Sequence, residues 1–141
     1  MSSRIVPWPN PCLKAKAEPI VEITPEITQI WQDMIVVMEA MPGVGLAAPQ
    51  LGMGLRLAVV DASSVRGQVL RMANPEILHV SAKLEVGEEA SPNLLRVSAQ
   101  IKRPRGVTVR YMDETGAMQK RDLVGLWARS LQHQVDHLNG L

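Results

Sequence analysis

The sequence predicts a single α+β domain. Segments with helical spacing of apolar residues lie toward both ends, short strand-like segments lie between them, and 141 residues are too few for two independent cores. The opening stretch, with Pro7, Pro9, Pro11 and Pro19, reads as extended and irregular, because each proline fixes its own φ and biases its predecessor away from helix. Thr24 followed by Pro25 is a helix start, the threonine as cap and the proline in the first turn. Ile27, Ile30, Trp31, Met34, Ile35 and Met38 then form one apolar stripe, and the helix should end near Pro42 and Gly43. Residues 55–60, 69–73, 77–80 and 83–86 read as short strands, separated by turn residues such as Asn74 and Pro75. Residues 107–112 and 117–121 read as a hairpin around Asp113, Glu114, Thr115 and Gly116. A second helix is predicted over 123–138.

Composition narrows the function classes. The chain is 46% apolar, has no Phe and eight Met, and so predicts a core of aliphatic and thioether side chains. A net charge of +1 with interspersed signs supplies no field to hold nucleic acid or an anionic membrane, and neither partner is expected. A lone cysteine, Cys12, forms no internal disulfide and fits a reducing compartment. With no apolar run of signal-peptide or membrane-spanning length, a cytoplasmic location is expected.

The second helix carries the residues with chemical interest. Val124, Trp127, Ala128, Leu131, Val135 and Leu138 share one apolar face, and Leu126, Ser130, His133 and His137 lie roughly opposite. Only Arg129, Gln132 and Asp136 form a narrow polar edge, so the helix should be packed on both sides with its histidines pointing inward. Two histidines four apart on one face can share a metal ion, although such a pair taken alone is more often a chance pair on a solvated face. Here the run is His133, Gln134, Val135, Asp136, His137, with an amide where the HExxH pattern has its glutamate.

Three segments together give a resemblance. The run Gly43, Val44, Gly45, Leu46, Ala47, Ala48, Pro49, Gln50 matches the peptide deformylase motif G-x-G-L-A-A-x-Q at every position. The run Gln132, His133, Gln134, Val135, Asp136, His137, Leu138 is similar to Q-H-E-x-D-H-L of that family, and Pro9, Asn10, Pro11, Cys12, Leu13 resembles its P-D-P-x-L segment. The resemblance covers essentially the whole chain. It implies short antiparallel sheets around a central C-terminal helix carrying the paired histidines. It also implies removal of formyl from the N-terminal formylmethionine of new polypeptides, by a metal on two histidines and the cysteine of a middle motif, E-G-C-L-S.

Aligned without gaps back from Arg103 and Pro104, that middle motif falls on Glu89, Ala90, Ser91, Pro92 and Asn93. The implied metal ligands are therefore His133, His137 and Ser91, and no cysteine occurs in the second half of the chain to replace the thiolate. A serine hydroxyl is a poor ligand for zinc or iron, so no metal is expected at high occupancy; any that binds should be Zn, Fe or Ni at His133 and His137. At the implied catalytic positions stand Gln50, Gln134 and Pro92. Gln134 cannot take a proton at neutral pH, a loss of about 10²–10⁴ in rate. Pro92 has no N–H to offer a developing oxyanion, a loss of roughly 10²–10³. The implied substrate-binding residues are Val44, Gly45, Leu46, Val86, Leu126 and Ser130.

The resulting expectation is a peptide deformylase-like protein with little or no activity that binds N-terminal formyl-methionyl peptides or a nascent chain; the alternative is an active metal-dependent deformylase. Glu89 is expected to play a supporting part and Asp136 to orient a neighbour, while Trp127 is expected in the core and His79 on the surface. Relatives usually continue past the third motif with a strand and a helix associated with the ribosome, so docking by that route is not expected for a sequence ending at Leu141.

Overall fold

The computed structural model describes residues 5–7, 10–90, 93 and 98–141. Two helices, α1 (Pro25–Ala40) and α2 (Gly125–Leu138), accompany seven strands: β1 (Gly45–Ala47), β2 (Leu57–Val60), β3 (Leu70–Val80), β4 (Leu84–Ala90), β5 (Ser98–Pro104), β6 (Gly106–Met112) and β7 (Met118–Val124). All strand pairs are antiparallel. Five strands form one sheet in the order β1, β2, β3, β6, β7, and β4 pairs with β5 as a separate ribbon.

β2 shows why the architecture has three layers. Its four residues are all buried, and alternate side chains enter different cores. Leu57 and Val59 pack with Trp31, Met34 and Met38 of α1, whereas Val60 packs with Ala128, Leu131 and Val135 of α2. Met72 and Ala73 of β3 split between the same two clusters. The first helix begins as predicted: Thr24 Oγ1 accepts a hydrogen bond from Ile27 N at 3.3 Å, and Pro25 occupies the first turn. Within its stripe Ile30, Trp31, Met34 and Met38 are buried, and Trp31 Nε1 donates to Met72 O at 3.3 Å.

Three expectations need correction. Asn74 and Pro75 do not separate two strands but form a bulge inside the eleven-residue β3, where the register with β6 shifts between Ala73 and Glu76. Asn74 tolerates the bulge's positive φ of 53° because its side chain replaces the missing ladder: Nδ2 donates to Ile20 O and Oδ1 accepts from Ile20 N, each at 2.7 Å. Second, β1 and β5 are strands that the sequence pattern did not announce. Third, even the narrow polar edge of α2 is largely covered, the Asp136 side chain keeping 39% exposure. Gln132 is 5% exposed and its Nε2 donates to Pro104 O and Ala128 O, because the β4–β5 ribbon lies over that edge.

Asp113 shapes the β6–β7 turn: its carboxylate accepts from Thr115 N, Thr115 Oγ1, Ala117 N and Gln119 Nε2. Those bonds, led by the Thr115 hydroxyl and the Gln119 amide, hold its pKa below the ordinary 3.8, at about 2. A carboxyl depressed in the folded state adds stability above its unfolded pKa and loses it as pH falls through the folded value. The unfolding midpoint of the wild type should therefore exceed that of Asp113→Ala above about pH 4, with the gap closing toward about pH 2. A gap that stays constant across this range would refute the assignment.

Candidate functional site

Helix α2 and strand β1 meet at closer range than side chains normally permit. A Cβ on Gly45 would lie 2.3 Å from Ser130 Oγ and 2.6 Å from Gln134 Nε2, so any larger residue here would displace both side chains from the cavity wall. The small-residue run 43–48 thus brings main chain directly against the helix face that carries the histidines. Ala47 and Ala48 are fully buried, and Gln50 is 2% exposed. Its carboxamide is fixed at both ends, Oε1 accepting from Ala47 N and Nε2 donating to Asn93 Oδ1, each at 2.9 Å. Asn93 Nδ2 in turn donates to Gln50 O at 3.1 Å and to Val6 O.

The two histidines converge as the helical spacing predicts, with Nε2 of His133 and Nε2 of His137 3.0 Å apart. His133 Nδ1 lies 2.8 Å from Glu89 Oε1. Glu89 also receives Arg103 and Arg129, the latter at 2.7 Å, and Arg103 reaches on to Asp136 at 2.9 Å. Burial alone pushes the Glu89 carboxyl up, but hydrogen bonds and charge from Arg103 and His133 outweigh it and hold the pKa at about 2. Ionised Glu89 accepts the His133 Nδ1 proton, which leaves the lone pair of that ring on Nε2. Burial, then the nearby His133 and Arg103, lower His137 to about 4, so this ring is neutral at physiological pH.

A cavity of about 230 Å³ opens beside the imidazoles; its wall includes Val44, Gly45, Gln50, Leu126, Ser130 and Gln134, together with His133 and Glu89. Leu46 and Val86 are not part of it: Leu46 is fully buried in the core around α1, and Val86 is 61% exposed on β4. Gln134 is 4% exposed, and its Oε1 is buried without a hydrogen-bond partner among the described residues. Ser91 and Pro92, implied as third ligand and oxyanion position, lie outside the described residues. Cys12 is half-buried in a short 3-10 turn at Pro11–Leu13 and is absent from the cavity wall. His79 is exposed, and Trp127 packs against the α2 core, both as expected.

The sequence reading assigned no role to Arg103, Arg129 or Asn93. Arg103 marks only the R-P of the resemblance, and Arg129 stands on the narrow polar edge of the second helix.

The donor set can be tested against a metal ion. Two imidazoles on one tetrahedral zinc ion, at roughly 2.0–2.1 Å each, place their nitrogens about 3.3–3.4 Å apart. The observed 3.0 Å is within a few tenths of that, and Glu89 leaves the correct nitrogen of His133 facing inward. Two of the donors therefore fit, while no cluster of three His, Cys, Asp or Glu side chains suited to a metal occurs among the described residues. Among the described residues, no helix is long and apolar enough to cross a membrane.

A paired-imidazole helix braced by a buried carboxylate, inside antiparallel sheets, is a scaffold on which two imidazoles can share one ion. The profile of the polypeptide deformylase family matches residues 2–141, and the chain belongs to that family of hydrolases. It is 37% identical over 139 residues to the peptide deformylase of Afipia carboxidovorans, covering 97% of this chain and 81% of the relative. The crystal structure of peptide deformylase from Thermotoga maritima superposes with a TM-score of 0.93 at 33% identity, covering 100% of this chain and 94% of that one. A Met-Ala-Ser-bound peptide deformylase of Acinetobacter baumannii gives a TM-score of 0.93 at 29% identity, covering 100% and 95%.

Removing Glu89 takes away the one carboxylate that Arg103, Arg129 and His133 share, so Glu89→Ala should destabilise the fold by about 3–5 kcal/mol in denaturant unfolding. A loss within about 0.5 kcal/mol would mean that the cluster is a surface network.

Proposed function

We propose that this chain is a metal-dependent deformylase of N-formylmethionyl peptides that turns over slowly. Its leading observation is Gln134, a neutral carboxamide buried in the cavity beside the two convergent imidazoles. Family membership supports the reaction class, and the names of the relatives are those of the enzyme. The Met-Ala-Ser peptide in the Acinetobacter baumannii structure supports a peptide N-terminus as the ligand. His133 and His137 would hold the ion, with Ser91 as the weak third position. Bound there, the ion would acidify a water molecule and polarise the formyl carbonyl.

The chain's own residues divide the remaining work. Glu89 fixes the tautomer and orientation of His133. Gln50 is oriented by Ala47 and Asn93, which sets its amide at the cavity wall. The side chains of Leu126 and Val44 provide apolar surface for the first side chain. Gln134 can hydrogen-bond but cannot accept the proton that water must surrender, so the family's acid-base step is the one most weakened. The second reading, a non-catalytic binder of the same formyl-methionyl end, is favoured by this last point and by the hydroxyl at Ser91.

Formate release from a formyl-methionyl peptide, measured beside metal content, separates the readings. Gln134→Glu in zinc-, iron- or nickel-loaded protein should raise kcat by about 10²–10⁴, and adding Ser91→Cys should raise metal occupancy. Peptide binding with no formate from any of these proteins favours the binder, and no binding at all defeats both readings.

A further inference from the structure

We propose that Arg66, in the loop between β2 and β3, is a positioning residue that braces the cavity wall and so tunes which first side chain the groove accepts. Arg66 has a φ of 61°, a conformation that residues other than glycine rarely adopt. The turn returns its guanidinium to the main chain. Arg66 Nη2 donates to Gly43 O at 2.6 Å, Nη1 donates to Asp61 O at 2.9 Å, and Nε donates to Glu39 Oε2 at 3.1 Å. One side chain therefore ties the C-terminal end of α1, the cavity-lining loop and the end of β2 together.

The loop is built to present that guanidinium. Asp61 is fully buried, and its carboxylate accepts from Ser63 N, Ser63 Oγ and Gln68 N, closing the loop around Arg66. The Asp61 main chain completes the brace, because its N–H donates to Val44 O at 3.0 Å. Val44 O also accepts from Ser130 Oγ at 2.8 Å. Gly43 and Val44 are thus held by Arg66 and Asp61 through one set of bonds and by α2 through another, and both residues line the cavity. Without Arg66, Gly43 O loses a charge-assisted bond and the wall segment can shift relative to Leu126 and Ser130.

The ligand's identity rests on the proposed function, but the brace does not, so the test has two arms on the full chain. In Arg66→Ala, hydrogen exchange of the amides over 43–47 should quicken about tenfold relative to wild type. Affinity for formyl-Met-Ala-Ser should fall about tenfold, and its preference over formyl-Val-Ala-Ser should narrow, with Arg66→Lys intermediate. A purely structural role would lower the unfolding midpoint without changing that preference. Unchanged exchange and preference in Arg66→Ala would overturn the proposal. If the wild type binds neither peptide, the functional reading fails, and the exchange arm alone decides the brace.

Discussion

The buried carboxylate of Glu89 is the point on which the arrangement of the site depends. The β4–β5 ribbon shares no ladder with the five-stranded sheet, so its position over α2 rests on other contacts. Arg103 comes from β5, Arg129 and His133 from α2, and all three converge on Glu89 of β4. Arg129 extends the tie by donating to Ile101 O and Glu85 O on the two ribbon strands. Gly87 leaves room for this: a Cβ there would stand 2.7 Å from Arg129 Nε. Such a charge cluster is a device for position more than for stability, since a well-packed apolar set could hold the layers as firmly. Its particular value is that the same carboxylate orients the His133 ring.

Sequence periodicity disclosed the helices because their patterns come from one face packing on one core. The stripe from Ile27 to Met38 and the face containing Ala128 and Leu131 found their places, and the inward convergence of His133 and His137 followed from the same wheel. Periodicity was misleading where a polar residue faces a buried partner. Arg129, Gln132 and Asp136 look like a solvated edge, yet they meet Glu89, Pro104 O and Arg103. A wheel records polarity and contains no information about whether the complement is water or a ribbon folded over it. Strand β5, with Ile101 as its one large aliphatic residue, was hidden for the same reason.

Asn74 and Pro75 illustrate a different limit. Their dipeptide is a sound turn signal, and the backbone does turn locally, with Asn74 at positive φ. What the sequence lacked was the distant partner: the main chain of Ile20, fifty-four residues earlier, which lets Asn74 close a bulge and allows pairing with β6 to resume. The motif 43–50 was legible as a motif, and its physical cause became visible only when Gly45 was placed against Ser130 and Gln134. A sequence can announce that a position must be small. The atoms that require it lie far along the chain.

The amide at 134 is coherent with its surroundings when considered as a charge. A carboxylate at residue 134, where the side chain is 4% exposed, would be buried in a cavity wall that already contains Glu89. Burying such an anion is costly unless a cation or proton accompanies it. Within the cavity, Arg129 already donates to Glu89, and neutral His137 supplies no charge. A firmly held divalent ion would provide the missing compensation; if Ser91 takes the third ligand position, as proposed, that compensation would be weaker. Glutamine preserves the shape and removes the charge, at the lesser cost of one Oε1 without a partner among the described residues. On the proposed function, a weaker third ligand would make an amide at 134 favourable for the fold while slowing the chemistry.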